Sequence, residues 1–165
     1  MSETDSPVKK VAELIKKVKF ALLTTRHEDG TLHSRPMATQ QVEFDGDLWF
    51  FSGWSTEKVQ ELQQSPDVNV SFADPGDNVY VSVGGKGELV RDRKKAEELW
   101  NPLYKAWFPK GLEDPELCLL KIVATQAEYW DTPSSKMVQL AGFIKATVTG
   151  QRYEPGEHGE VKLNS

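Results

Sequence analysis

Several things this sequence lacks limit what it can be. Its 165 residues include one cysteine, Cys118, so no disulfide can form within the chain and no cysteine-rich metal site is available. It has no long apolar run; every stretch between charged residues falls well short of the ~20 residues that a membrane-spanning helix needs. The opening residues, Met1 to Pro7, are polar and acidic rather than leader-like. Positive charge is also in short supply. The chain has 20 Lys and Arg against 25 Asp and Glu, a net charge of -5, which argues against general binding to nucleic-acid phosphate. The one basic cluster, Arg91 to Lys95, is interrupted by Asp92 and followed by Glu97 and Glu98, and reads as a solvated helix start. Histidine is scarce. His27, His33 and His158 fall in turn-rich or terminal segments without metal-ligand spacing, so no metal site is expected. The carboxylates show no pairing that periodicity would place on one face, and no nucleophile triad can be assembled. What remains is a cytoplasmic chain without nucleic-acid or membrane partners. It forms one domain over residues 1–165, with flexible ends at 1–7 and 154–165.

What the sequence does contain is alternation. Phe20 to Thr25, Ser34 to Val42 and Leu48 to Ser52 are strand-like runs, separated by Asp29-Gly30 and Asp45-Gly46. Asp-Gly suits the positive φ angles of tight hairpin turns, so these runs read as a three-stranded antiparallel meander. Val68 to Ala73 alternates cleanly after Pro66. Val79 to Val90 reads as a long strand in which Gly84, Gly85 and Gly87 mark a bulge or bend, and Leu117 to Tyr129 is the last long strand. Helical spacing marks Val8 to Val18, the segment after Ser55 up to Ser65-Pro66, the segment capped by Asp92, and Met137 to Val148 before Gly150. Cys118 reads as a core side chain. Trp100, Tyr104, Trp107 and Phe108 crowd one region that could cover a flat aromatic ligand or pack locally. The sum is a mainly β domain, a small antiparallel barrel of six strands with flanking helices.

One junction carries chemistry. A helix that opens at Ser55 or Thr56 presents unpaired backbone N–H groups and the positive end of its dipole, the physical basis of an anion site. Ser52, Ser55, Thr56, the Lys58 ammonium and the Arg35 guanidinium of a neighbouring strand could converge there. These are groups that bind rather than react, a profile that fits a cofactor carrying the reactivity.

The order of marks along the chain extends this reading. It runs through Leu22-Leu23-Thr24-Thr25, Asp29-Gly30, Ser34-Arg35-Pro36-Met37, Leu48-Trp49-Phe50-Phe51-Ser52 and Ser55-Thr56-Glu57-Lys58. It continues with Asp67 to Phe72, Gly85-Lys86-Gly87-Glu88 and Glu128-Tyr129-Trp130-Asp131. In this order the chain resembles the pyridoxamine 5'-phosphate oxidase-like superfamily of FMN-binding split barrels, and within it the general stress protein group, from about Val8 to Gly150. The resemblance implies a six-stranded antiparallel split β-barrel. It also implies a homodimer with the flavin at its interface, and FMN as cofactor, with FAD equally able to offer a phosphate. It assigns Arg35 to the cofactor phosphate, and Pro36, Met37, Ala38, Thr39 and Gln40 to the edge of the isoalloxazine ring. Phe51 and Ser52 are the strand-end pair, Ser55, Thr56 and Lys58 the phosphate-binding helix start, and Trp130 a late aromatic near the flavin. Two features depart from the oxidases proper. Glu57 stands where they often carry a basic residue, and the segment from Leu140 to Ser165 has Arg152 as its only arginine instead of their substrate-gripping motif. Vitamin B6 oxidation is therefore not expected. The resemblance implies an FMN-dependent oxidoreductase on a small substrate, with neither substrate nor electron donor specified. It leaves open a non-catalytic flavin sensor or store, and a barrel holding haem or deazaflavin.

Overall fold

The computed structural model describes residues 7–40, 44–132, 136–152 and 156–163, with the backbone alone for 136–139. In chain order the elements are α1 (Pro7–Ile15), β1 (Phe20–Arg26), β2 (Leu32–Ala38), β3 (Asp47–Gly53), α2 (Glu57–Gln64), β4 (Asp67–Asp74) and β5 (Val79–Val90). After these come α3 (Arg93–Leu99), β6 (Leu117–Asp131), α4 (Lys136–Thr149) and β7 (Glu157–Lys162). Two short 3-10 turns, Pro102–Ala106 and Gly111–Glu113, lie between α3 and β6.

All seven strands belong to one antiparallel sheet, and six of them follow the path β2-β1-β4-β5-β6-β3. Alternation sets the inner face. Ala21, Leu23 and Thr25 of β1, Val68, Val70 and Phe72 of β4, and Val79, Val81 and Val83 of β5 are buried while their neighbours point outward. Val11 and Ile15 of α1 and Val59 and Leu62 of α2 close on the same core. Each fully buried apolar side chain of this kind contributes roughly 1.5–3 kcal/mol. Gly87 lets α2 approach, because a Cβ there would collide with Cδ2 of Leu62. Among the described residues no helix is long and apolar enough to cross a membrane.

The expected three-stranded meander is corrected. Asp29-Gly30 does turn β1 into β2, with Gly30 at φ +88° and Leu23 opposite Arg35. β3 leaves this hairpin and pairs instead with β6, from Asp47 opposite Val123 to Gly53 opposite Leu117. β2 and β3 thus end the path at opposite ends, and the curled sheet stays open between them, a half-barrel. Asp45-Gly46 remains a turn, with Gly46 at φ +116°, but joins strands that do not pair. β2 also ends at Ala38, short of the expected Val42; Gln41 and Val42 lie outside the described residues.

The expectation of a flexible C-terminal segment is corrected in part. Glu157 to Lys162 form β7, paired with Gln126–Asp131 of β6. The 15-residue β6 therefore shares one edge between two partners, β3 along Leu117–Val123 and β7 along Gln126–Asp131. The bulge expected from the glycines falls at this handover: the β5–β6 register shifts between Gly84 and Gly85, leaving Thr125 as the extra residue. The remaining terminal positions, 1–6, 153–155 and 164–165, lie outside the described residues.

Candidate functional site

The junction of β3 and α2 follows from local chemistry. Trp54 N–H donates to Glu116 O at 2.7 Å, which turns the chain as β3 ends. Thr56 takes the extended backbone of an N-cap, φ -77° and ψ 155°, but its hydroxyl caps no helix N–H. It donates instead to Gly53 O at 2.7 Å and lies 3.5 Å from Ser52 Oγ. The helix thus opens without a side-chain cap, which leaves its first N–H groups for something else. Ser55 has an anion already: both its backbone N–H, at 3.0 Å, and its hydroxyl, at 2.6 Å, donate to Glu116 Oε2. Those bonds hold the Glu116 carboxyl below its ordinary range.

Lys58 differs from every residue around it. It is half-buried, and no hydrogen-bond or ion-pair partner reaches it among the described residues. Burial lowers its ammonium pKa, and the neighbouring Arg35 guanidinium lowers it further. Burial and a second cation both disfavour the charged form, and an anion placed between the two cations would offset that cost. The phosphate of a cofactor fits this corner, where Arg35 and Lys58 would supply charge and Ser52 a hydroxyl, while the Thr56 hydroxyl could donate only by leaving Gly53 O.

Arg35 faces inward from β2, on the same face as His33 and Met37. Its Nη1 donates to Thr25 Oγ1 at 2.5 Å, and its Nη2 lies 3.7 Å from Oε2 of the buried Glu61. Thr25 in turn donates to that same oxygen. Burial opposes ionisation of Glu61, but the bonds from Thr25 and His27 and the charge of Arg35 outweigh it, and the carboxyl sits below its ordinary value.

The other predicted site residues lie in two further places. Met37 is buried in the core, while Pro36 is exposed and Ala38 half-buried. Thr39 donates its hydroxyl to Val18 O at 2.7 Å and its N–H to Lys19 O at 2.9 Å, pinning the end of β2 to the start of β1. Gln40 accepts from Tyr104 Oη at 3.4 Å, and Tyr104 packs on Phe51 with centroids 5.2 Å apart. Trp100 joins them, 5.6 Å from Phe51, so Trp100 and Tyr104 of the aromatic crowd seen in the sequence pack on Phe51, and Trp107 reaches Tyr104 at 6.5 Å. A cavity of about 470 Å³ opens beside Thr39 and Gln40, with Lys9, Lys16, Trp49 and Phe72 in its wall. Arg35, Ser52 and Lys58 do not line it. Trp130 stands apart on β6, stacked on His158 of β7 at 5.3 Å.

Cys118 is a core residue, as its apolar surroundings in the sequence suggested. Its thiol donates to Ser52 O at 3.3 Å, and burial pushes its pKa up to about 11.

Sequence reasoning missed the partners of Glu61. His27 and His33 stack with centroids 5.0 Å apart, and Glu57 and Glu61 face them from α2. The i,i+4 spacing of the two glutamates was the available signal, because it puts both on one helix face.

Taken together, the fold and the junction define a class: an antiparallel half-barrel with a cationic corner at its open seam. Comparison with known proteins gives the family. The pyridoxamine 5'-phosphate oxidase-like family matches residues 6–154, and the chain belongs to it. The general stress FMN/FAD binding protein of Xanthomonas citri is similar, with 32% identity and a TM-score of 0.67 over 77% of this chain and 89% of that one. A protein of Jannaschia sp. CCS1 assigned to general stress protein 26 has 25% identity and a TM-score of 0.74 over 94% of this chain and 97% of that one. A Clostridium acetobutylicum protein related to general stress protein 26 has 22% identity and a TM-score of 0.67 over 75% and 87%, and shares the split-barrel fold. No match was found among curated proteins.

Proposed function

We propose that this chain is an FMN-binding protein of the general stress type that acts as a flavin-dependent oxidoreductase on a small substrate. The observation that carries this is Lys58, a half-buried ammonium with no anion partner among the described residues, set beside Arg35 at an uncapped helix start. The similarity to the Xanthomonas citri FMN/FAD binding protein supports a flavin as the anion. Arg35, Lys58 and Ser52 would hold the phosphate, with Thr56 joining them if its hydroxyl turns from Gly53 O, and the strand end from Pro36 to Gln40 would lie along the ring. The flavin supplies electron transfer; the chain's own residues bind, orient and exclude water.

We further propose that the functional unit is a homodimer. The cationic corner and the cavity beside Gln40 are separate within one chain, which favours a site completed by a second copy. α4 supports this: Leu140, Phe143, Ile144 and Val148 repeat at helical spacing and are all at least half exposed. So large an apolar stripe marks a contact surface.

The test is the visible spectrum of freshly purified protein, with the released chromophore run against flavin standards and the mass measured by light scattering. FMN released from a dimer, and bleached by NAD(P)H or another donor, is the expected outcome. Flavin bound without turnover over any donor would make the chain a store or sensor. A Soret band would make it a haem barrel, and a colourless protein that takes up no FMN would overturn the reading.

A further inference from the structure

We propose that His27, His33, Glu57 and Glu61 form a binding site for a divalent metal of the zinc class, fastening the β1–β2 hairpin to α2. The site is independent of the flavin reading.

The backbone brings the four together. His27 opens the hairpin turn, closed by its N–H to Thr31 O at 2.7 Å, and His33 lies on β2 where the strand returns past Thr25. The two imidazoles stack nearly parallel, 10° apart. Glu57 and Glu61 sit one helical turn apart on α2, under the rings. One ligand atom from each of the four can be chosen so that all lie within 4.8 Å of one another. His27 Nδ1 is 3.3 Å from Glu57 Oε1 and 3.5 Å from Glu61 Oε1, and His33 Nδ1 is 3.8 Å from that same Glu61 oxygen. A tetrahedral zinc ion with bonds of about 2.0–2.2 Å separates its ligand atoms by about 3.4 Å. The His27–Glu57, His27–Glu61 and His33–Glu61 separations are already close to that spacing before any ion enters.

Outer partners orient these ligands, as metal sites require. Thr25 and Arg35 engage Oε2 of Glu61, which leaves Oε1 turned toward both rings. Thr31 gives its hydroxyl proton to Asp29 Oδ1 at 2.6 Å, so it can only accept from His33 Nε2, at 3.4 Å. A neutral His33 that gives its Nε2 proton to Thr31 presents its Nδ1 lone pair toward Glu61. A lone pair facing a carboxylate repels it unless a cation stands between them.

A proton serves this cluster less well than a metal ion. One proton on His27 could bridge to a single carboxylate. His33 Nδ1, at 3.8 Å, is beyond hydrogen-bond reach of Glu61. Charging both rings would stack two cations 5.0 Å apart. One divalent ion neutralises both carboxylates and satisfies both nitrogens. Two imidazoles and two carboxylates form a set suited to zinc, and four protein ligands make the site structural rather than open.

The test uses the untagged full chain, stripped with a chelator and titrated with zinc against a chromophoric competitor. Cobalt serves as the spectroscopic probe. The expected result is one ion per chain, visible bands of four-coordinate cobalt and a raised Tm in zinc. His33→Gln and Glu57→Gln should each weaken zinc at least about 10-fold, since loss of even an outer partner costs about that much. The pair His27→Gln with His33→Gln should abolish it. His158→Gln, in the separate cluster of Glu128, His158 and Glu160, should leave the affinity unchanged. The proposal falls if the stripped chain takes up no zinc, or if the affinity survives the double histidine variant or disappears with His158→Gln. Circular dichroism guards against unfolding, and Glu57→Gln, whose side chain is 61% exposed, gives a second route should the double variant not fold.

Discussion

Lys58 and Glu61 lie one helical turn apart on α2 and could hardly differ more in their surroundings. Glu61 is deeply buried, yet Thr25 donates to it, Arg35 lies 3.7 Å away, and two histidines face its other oxygen. Lys58 is only half-buried, yet no partner among the described residues answers its charge. Burial works against both charges. In Glu61 the neighbours offset that cost; in Lys58 a neighbouring cation adds to it. At Oε2 of Glu61 the chain's own donors answer the charge and hold structure together; Oε1 of Glu61, facing the two rings, and the Lys58 ammonium are where a ligand would add to it.

Four substitutions would break or sharpen this contrast. Glu61→Ala should have the largest effect, lowering stability by about 3 kcal/mol in urea unfolding, because it strips a buried anion from Arg35, Thr25 and His27. A loss under about 1 kcal/mol would show that the network does not hold α2. Lys58→Ala should do the reverse. Flavin affinity should weaken by about 1.5–3 kcal/mol, one charged hydrogen bond, with no loss of folding stability. An unchanged dissociation constant would place the phosphate elsewhere. Arg35→Ala stands between the two networks, so both unfolding and flavin titration should register it, each by about 1–2 kcal/mol. Ser55→Ala should have the smallest effect, under about 1 kcal/mol on flavin affinity, because Glu116 already occupies the serine's donors. A larger loss would mean that Glu116 moves aside when the cofactor binds.

The elements themselves were largely legible. The alternation of β4 and β5 and the Asp92 cap, which accepts Lys95 N–H at 3.1 Å, lie where the pattern put them. Pairing was less legible. The Leu48–Ser52 run announces a strand, but nothing in it says that its partner is β6, some 70 positions on, rather than the adjacent β2. Hydrophobic periodicity reports which face is buried and is silent about which edge is shared. β7 was invisible for a different reason: in Glu157 to Lys162 only Val161 is buried, so the strand carries almost no apolar signal. In the site, the cationic corner could be read from residue types and a helix start. The histidine pair could not, because its geometry comes from a hairpin register that brings His33 back past Thr25.

The handover on β6 bears on which strand edges this fold leaves open. An open strand edge is a template that other chains can extend, and β3 covers only part of the β6 edge. β7 pairs with the rest, and the fit is close: Tyr129 packs against Gly159, where any Cβ would strike its ring, and its hydroxyl donates to Glu157 Oε1 at 2.9 Å. A short, mostly polar strand thus takes the place of a bare β6 edge, anchored to the core by Val161 and, just beyond it, Leu163. Proteolysis ahead of Glu157 would take Val161 and Leu163 out of the core and bare Gln126 to Asp131 to the nearest passing strand.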